Sequence, residues 1–242
     1  MNTLAKLITS SILAMLMLSC NFDFNIDAGI TGDGNVITET RAVNQDFNGI
    51  TASRGLDVYI SQGNDYGISV EADENLHDII VTEVENGILK ISTTENIRKS
   101  KAQKVMVSTK NLEFIKATSG SDVYSEGTIS AVNLKLEANS GADLDVDIET
   151  ENLTCSSSSG SDIRVRGNTI NLKARATSGS DINAKSLKAE ISDVEANSGS
   201  DIFVYTSKEL TANASSGGDV HYYGNPEKVK KSDGVSGSVI KN

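Results

Sequence analysis

A four-residue motif, Ser-Gly-x-Asp, occurs six times in the second half of the chain. The copies begin at Ser119, Ser140, Ser159, Ser178, Ser198 and Ser216 and end at Asp122, Asp143, Asp162, Asp181, Asp201 and Asp219. Successive aspartates are 21, 19, 19, 20 and 18 residues apart. A nearly constant period of this length is typical of a solenoid, in which each repeat contributes one turn to a stack. It disfavours a globular fold built around one centre.

The residues on both sides of the motif alternate between apolar and polar. An aliphatic residue follows every aspartate, and a mostly apolar position lies four residues before every motif serine. The first set is Val123, Leu144, Ile163, Ile182, Ile202 and Val220, and the second is Ile115, Leu136, Cys155, Ala174, Val194 and Ala212. Alternation with β-branched residues predicts short strands rather than a helix in each repeat. We therefore predict an all-β fold, a single-stranded parallel β-helix with coils of roughly 20 residues.

The motif itself is suited to a sharp corner between strands. Glycine adopts positive φ angles without a steric penalty. Serine and aspartate side chains can bond backbone NH groups that lose their strand partners at a bend. In a stack, the aspartates of successive coils are expected to form one column.

The solenoid is predicted to begin before the first full motif. The segment Ala52–Val58 resembles the corner, but its aspartate, Asp57, precedes Asp122 by 65 residues. We expect the intervening section to be built differently and to cover one open end of the stack, because a bare end exposes unpaired strand edges. Within it, Asp73 is predicted to cap a short helix that runs through Leu76 to Ile80.

The N-terminus has the pattern of a bacterial lipoprotein signal. Lys6 precedes an apolar stretch over residues 7–18, which is too short to span a bilayer, and Leu16–Cys20 reads Leu-Met-Leu-Ser-Cys. We predict a signal peptide at 1–19, lipidation of Cys20 with a tether at 20–34, and one β-helix domain at 35–242. Asn21 differs from the Asp that retains lipoproteins in the inner membrane, which favours the outer membrane. The predicted location is the cell surface, or otherwise the periplasmic face.

The net charge of the chain limits the classes of molecule that it is expected to bind. The chain carries 22 basic and 33 acidic residues, and removing Lys6 with the leader leaves 21 against 33, a net charge near −12. This balance disfavours nucleic acid and anionic lipid surfaces. It allows cations, basic proteins or neutral glycans, so we expect membrane attachment through the lipid and a glycan or protein ligand at an unknown site. The sequence indicates no cofactor.

Catalytic chemistry has little support. With Cys20 lipidated, Cys155 has no disulfide partner, and it occupies a core position of the repeat; only His77 and His221 could act as its base. Asp143, Asp145 and Asp147 alternate along one repeat, and Arg164 and Arg166 occupy the matching places one coil later. A glycosidase would need such carboxylates in a groove, but ion pairs between coils explain the same arrangement. No catalytic residue is assigned.

The column formed by Asp122, Asp143, Asp162, Asp181, Asp201 and Asp219 could bind calcium, which prefers carboxylate oxygens. Calcium-binding β-rolls, however, use two Gly-rich nonapeptides in tandem within each coil. Here one four-residue corner occurs per coil. A hydrogen-bonded ladder open to water is therefore the favoured interpretation, and calcium is the alternative.

Several segments resemble the head GIN domain family of auto-transporter adhesins, which is common among Bacteroidetes lipoproteins. The resemblance rests on Gly34–Arg41, Phe47–Ile50, Gly55–Ile60, Asn86–Leu89, the Ser-Gly-x-Asp repeats and Tyr223–Pro226. It implies a right-handed β-helix and an adhesive role at the cell surface. We expect a lipid-anchored, non-catalytic adhesion or interaction module of the envelope. The alternatives are a periplasm-facing structural lipoprotein and, more weakly, a polysaccharide-active β-helix enzyme.

Overall fold

Strands of successive coils stack in parallel in the computed structural model, which describes residues 29–242. These residues contain no α-helix and one 3-10 turn, Glu74–Leu76. The strands are β1 (Ile30–Thr31), β2 (Val36–Arg41), β3 (Gly49–Ala52), β4 (Asp57–Gln62), β5 (Gly67–Asp73), β6 (Ile80–Glu85), β7 (Ile88–Thr93), β8 (Ile97–Lys99), β9 (Gln103–Thr109), β10 (Phe114–Thr118), β11 (Asp122–Asn139), β12 (Asp143–Ser158), β13 (Asp162–Thr177), β14 (Asp181–Asn197), β15 (Asp201–Ser215), β16 (Asp219–Tyr223), β17 (Lys228–Asp233) and β18 (Ser238–Lys241).

The repeats form a parallel β-helix, as predicted. Each of the strands β11 to β15 follows almost a whole coil and pairs in parallel with its neighbours in the stack. The residue after each motif aspartate is buried and stacks on its equivalent in the next coil, from Val123 through Leu144 to Ile163 and beyond. Inward-facing columns of aliphatic side chains and alanine therefore form one continuous core.

Both the serine and the glycine at each corner adopt left-handed backbone angles. The first serine of each motif has a φ between 53° and 61°, and the glycine that follows it has a φ between 67° and 77°. The residue at the third motif position points inward. Ser161, for example, is fully buried, donates to the carbonyl of Ala138 in the preceding coil (2.7 Å) and accepts from the NH of Ser158 (3.1 Å). The side-chain bonding predicted for the corner is confirmed, whereas the left-handed conformation of the first serine was not foreseen.

The section before the repeats covers the N-terminal end of the stack. Strand β4 pairs directly with β11, so Asp57 continues the aspartate column, while β9 and β7 extend the stack by pairing in parallel with β4 and β3. Three other pairings of this section are antiparallel: β5 pairs with β2 and β9, and β6 pairs with β7. This change of direction ends the solenoid, and the prediction that this section is built differently from the repeats is confirmed.

The predicted helix after Asp73 is wrong in extent, because only Glu74–Leu76 forms a single 3-10 turn and Asp73 makes no side-chain cap bond to it. The fully buried carboxylate of Asp73 instead accepts the backbone NH groups of Gly34 (2.5 Å), Lys101 (2.7 Å) and Ala102 (3.1 Å). These bonds lower its pKa, although burial alone would raise it. Asp73 therefore joins the segment before β2 to the segment before β9.

The other end of the stack is an exposed edge. Strand β17 pairs with β15 and every one of its side chains is exposed, among them Lys228, Lys230 and Lys231. Lysines on an edge strand oppose uncontrolled pairing with another sheet. Within residues 29–242, no helix has the length and apolarity needed to cross a membrane.

Candidate functional site

The motif aspartates lie in one column, which Asp57 extends to seven members. Lys104 occupies the equivalent position beyond Asp57, and Ser238 occupies it beyond Asp219. Carboxylates in the column accept backbone NH groups of the next coil: Asp181 accepts from Asp201 (3.0 Å), and Asp219 accepts from Ser238 (2.9 Å). The column is thus tied together by hydrogen bonds that run along the stack.

Stacking also changes the acidity of the column. Burial, and then the neighbouring carboxylates of the column, raise the pKa of Asp122, Asp162 and Asp201. Burial likewise raises the pKa of Asp57, which Lys104 partly offsets. Among residues 29–242, no group of three or more His, Cys, Asp or Glu side chains is arranged to hold a metal ion. Calcium binding by the column stays the untested alternative to a hydrogen-bonded ladder.

The carboxylates considered for glycan hydrolysis are held in ion pairs between coils. Arg164 bonds Asp145 (3.2 Å), and Arg166 bonds both Asp147 (2.8 Å) and Asp145 (2.5 Å). The hydrogen bonds that Arg166 donates to Asp147, and then to Asp145, raise the pKa of its guanidinium, although burial opposes this effect. Neighbouring positions of the same outward face carry stacked rings, with Phe203 and His221 centred 4.9 Å apart. Structural pairing across coils, which the sequence suggested, is the observed arrangement.

The remaining candidates for chemistry are buried or lie elsewhere. Cys155 is 1 % exposed in the core, and burial raises its pKa to about 12, so the thiolate that a nucleophile requires is strongly disfavoured. His77 is also buried, in the N-terminal section, where its ring contacts Glu39 and Arg41. Cys20 lies outside the described residues. Cys155 thus has neither the exposure nor the ionised state that a catalytic nucleophile requires.

A concave surface, here called the corner groove, runs along one corner of the β-helix. It consists of two cavities of about 400 and 860 Å³ that share Asn111, Ser130, Ala131 and Val132. The larger cavity is within the range of ligand sites. The groove runs along the stack and crosses the strands, from Asp46 and Tyr66 at one end to Tyr205 and Ser207 at the other.

Three neighbouring columns form the groove. Small residues form its floor, and larger side chains immediately before and after each floor residue form two walls. The floor is Ala131, Thr150, Thr169 and Ala189; the first wall is Ser130, Glu149, Asn168, Lys188 and Tyr205; the second wall is Val132, Glu151, Ile170 and Glu190. On each coil the floor residue is buried or half-buried while the residues before and after it are mostly exposed, so the surface is concave along several coils.

The second wall alternates between apolar and acidic residues. Val132 is 59 % exposed and Ile170 is 43 % exposed, although both are apolar. Glu151 lies between them, and Glu190 follows Ile170 with Lys208 bonded to it (2.6 Å). On the middle coil Glu149 and Glu151 flank Thr150, so two carboxylates face the floor together.

The groove is not evident from the repeat motif in the sequence. The groove residues do not lie at a constant distance in sequence from the Ser-Gly-x-Asp motif. An irregularity in the strand pairing between Tyr124 and Thr128 lies between the motif and the groove and shifts the alignment of the coils. The available signal was the pair of exposed apolar residues, Val132 and Ile170, at positions where neighbouring repeats carry Glu151 and Glu190. This pattern becomes visible only when the coils are aligned on the strands that follow the irregularity.

Comparisons with known proteins agree with the fold. The family model described as "Putative auto-transporter adhesin, head GIN domain" matches residues 46–226. No match is found among curated proteins.

Solved structures share the architecture at low sequence identity. A putative adhesin from Bacteroides fragilis has a TM-score of 0.81 and 21% identity over 88% of this chain and 100% of its own. One from Parabacteroides merdae has a TM-score of 0.72 and 20% identity, over 88% and 98% of the two chains. A putative lipid binding protein from Parabacteroides distasonis has a TM-score of 0.70 and 24% identity, over 88% and 99%. At these identities the likeness concerns the fold and not the ligand.

Proposed function

Because the chain belongs to the head GIN domain family of auto-transporter adhesins, we propose that it is a lipid-anchored adhesion module of the bacterial cell envelope with no catalytic centre. The observation that carries this proposal is the family match across residues 46–226, which covers most of the β-helix. Two of the structural neighbours, those from Bacteroides fragilis and Parabacteroides merdae, are described as putative adhesins as well.

The surface chemistry supports a binding role over a catalytic one. The aspartates that an enzyme would use are paired with Arg164 and Arg166, and Cys155 is buried with a raised pKa. A groove of ligand size, in contrast, is open along one side of the stack. A rigid solenoid can present such a lateral surface over several coils.

Lipid attachment is proposed from the sequence of residues 16–20, which ends in Cys20. Acyl chains on one cysteine provide more than one membrane-binding signal and so permit stable anchoring. The structure places Ile30, close to that cysteine in sequence, in the two-stranded pairing of β1 with β8 at the N-terminal section. An anchor at Cys20 would therefore attach the covered end of the stack to the membrane and leave the repeats projecting outward.

Protease shaving of intact cells tests this proposal. A surface adhesin should be lost on protease treatment while a periplasmic control protein stays intact. Labelling with an alkyne fatty acid should tag the wild-type protein and fail to tag a Cys20→Ala variant. Full protection from protease in intact cells would overturn the adhesion proposal and favour a structural lipoprotein on the periplasmic face.

A further inference from the structure

The corner groove has the charge and the repeat distance to recognise one kind of ligand. We propose that it binds a basic peptide segment in the polyproline II conformation, with an apolar residue at every third position. This inference rests on the proposed adhesive function and specifies the class of its ligand. The central contacts are to Val132, Ile170 and the carboxylates of Glu149 and Glu151.

The repeat distance of the second wall favours this conformation. Val132 and Ile170 lie two coils apart, which corresponds to about 9.6 Å for strands that are about 4.8 Å apart. One turn of polyproline II contains three residues and rises about 9.3 Å. An extended β-strand instead repeats its side chains every two residues, or about 6.8 Å, and does not match one or two coils. A polyproline II ligand can therefore place equivalent residues on Val132 and Ile170.

The charge of the groove favours a basic ligand. Its lining contains Asp46, Glu113, Glu149, Glu151 and Glu190 against one lysine, Lys188. Glu190 is paired with Lys208, but within residues 29–242 neither Glu149 nor Glu151 forms an ion pair of 4.0 Å or less. A Lys or Arg between two apolar ligand residues would meet both carboxylates on the middle coil. An anionic polymer would be repelled at the same place.

The backbone of the groove also opposes the addition of a strand. The floor coils already pair with each other along the stack, and the backbone NH and carbonyl of Ser130 are bonded by Gln62 (2.7 and 3.0 Å). An extended peptide lying across these strands would find no ladder to join. Polyproline II has no internal hydrogen bonds and leaves its carbonyls free for side-chain donors. Asn111, Asn168 and Tyr205 line the groove and can supply such donors.

Binding of synthetic peptides to the full-length protein tests the inference. The probe is a fluorescein-labelled peptide of four Pro-Pro-Lys repeats, followed by fluorescence anisotropy at low and at physiological salt. The control peptides are four Pro-Pro-Glu repeats and four Gly-Ser-Lys repeats, which reverse the charge and remove the stiffness respectively. Binding of the first peptide alone, weaker at higher salt, is the expected result. Equal binding of either control would overturn the inference.

Matched variants locate the site. Glu151→Gln and Ile170→Ser should each weaken binding of the Pro-Pro-Lys peptide about tenfold, the equivalent of 1.4 kcal/mol. Glu126→Gln and Ile191→Ser change an exposed glutamate and an exposed isoleucine outside the groove, and should leave binding unchanged. Ile191 is 40 % exposed, close to the 43 % of Ile170. Equal melting temperatures would show that all four variants remain folded.

Two other results would overturn the assignment of the ligand. If Glu151→Gln and Ile170→Ser bind the peptide as well as the wild type does, the site is not the corner groove. If cellohexaose, an uncharged linear glycan, binds in a way that depends on Glu151 while the peptide does not bind, the occupant is a glycan. Failure of the adhesion proposal can be distinguished from failure of the peptide-binding inference. Protease shaving reports the location of the protein in the cell, whereas the peptide assay measures binding by the purified protein. If the purified protein binds the peptide but the protein in intact cells is protected from protease, only the proposed surface location is refuted.

Discussion

Substituting Asp162 by Asn should stabilise the protein at neutral pH. Asp162 lies in the middle of the aspartate column, between Asp143 and Asp181. Burial and these two carboxylates raise its pKa, and Arg164 and a backbone NH offset only part of that effect. Asparagine has nearly the same shape and retains an oxygen that can accept the NH of Asp181. The substitution therefore removes charge repulsion while keeping the hydrogen bond along the stack.

The expected gain follows from the spacing of the coils. Two unit charges about 4.8 Å apart in water repel by about 0.9 kcal/mol. Screening at physiological ionic strength, with a Debye length of about 8 Å, reduces this to about 0.5 kcal/mol. Asp162 has two such neighbours, so the free energy of unfolding should rise by about 1 kcal/mol. For a protein of this size that is about 3 °C in melting temperature (Tm). In 1 M salt the electrostatic gain should fall below about 0.5 kcal/mol.

The same repulsion predicts how wild-type stability depends on pH. The pKa values of Asp57, Asp122, Asp162 and Asp201 are raised, so the folded state binds protons more readily than the unfolded state. Stability should therefore rise as the pH falls from neutral through these raised values, until the unfolded carboxyls titrate near pH 4. The pKa of Asp73 is lowered, and below about pH 4 its protonation should reverse the trend.

Thermal unfolding monitored by circular dichroism at pH 7.5 and pH 5 measures these effects. Asp193→Asn is the matched control, because Asp193 is an exposed strand aspartate that stacks between Lys173 and Thr211 instead of between carboxylates. It should leave Tm unchanged or lower it slightly. The advantage of Asp162→Asn should be smaller at pH 5 than at pH 7.5, because the raised pKa of Asp162 makes it take up a proton at a higher pH than a free aspartate does. A lower Tm for Asp162→Asn at pH 7.5, or the same response in both variants, would refute the repulsion argument.

Three further substitutions or measurements test individual contacts. Gly167→Ala should destabilise the protein by at least about 3 kcal/mol in urea unfolding, because its Cβ would lie 2.0 Å from the carbonyl oxygen of Ile148. Gly160→Ala, with φ +68° and no atom within 4 Å of its Cβ, should cost only about 1 kcal/mol; equal costs would contradict the role of close approach. Asp73→Asn should cost about 3 kcal/mol, because an amide cannot replace a carboxylate that accepts three NH groups, and an unchanged Tm would contradict this account. Cys155 should resist iodoacetamide at pH 8 in the folded protein and react after unfolding, as peptide mapping would show; rapid labelling of the folded protein would contradict its burial.

The sequence was sufficient to predict the repeat architecture, because equivalent residues of a solenoid must stack on each other. The spacing of the aspartates and the aliphatic residue after each one predicted the coil length and the buried column. Asp57 was recognised as an earlier corner despite its distance from Asp122. The structure confirms this, since the two aspartates pair directly across the inserted section. Periodicity is informative here because it reflects a packing requirement that every coil shares.

Other features could not be read from the sequence because they depend on contacts between distant segments. Asp73 immediately precedes a short turn, which made it resemble a helix cap, but Gly34, Lys101 and Ala102 bring three NH groups to it. These residues come from both sides of Asp73 along the chain, and no local pattern connects them. The corner groove was missed for a similar reason, since its walls become adjacent only after the coils are stacked.

Buried and exposed columns of the stack differ in how strictly the fold fixes their residues. Buried positions such as Val123 and Leu144 keep their aliphatic character from coil to coil, because each must fill the same space. Exposed positions of the second wall change from Val132 to Glu151, although their backbones stack in the same way. Stacking energy does not require this alternation, so these positions can vary without loss of the fold. The core columns can therefore stay constant while the exposed columns change, and under the binding proposal the walls of the corner groove are where a ligand preference would be encoded.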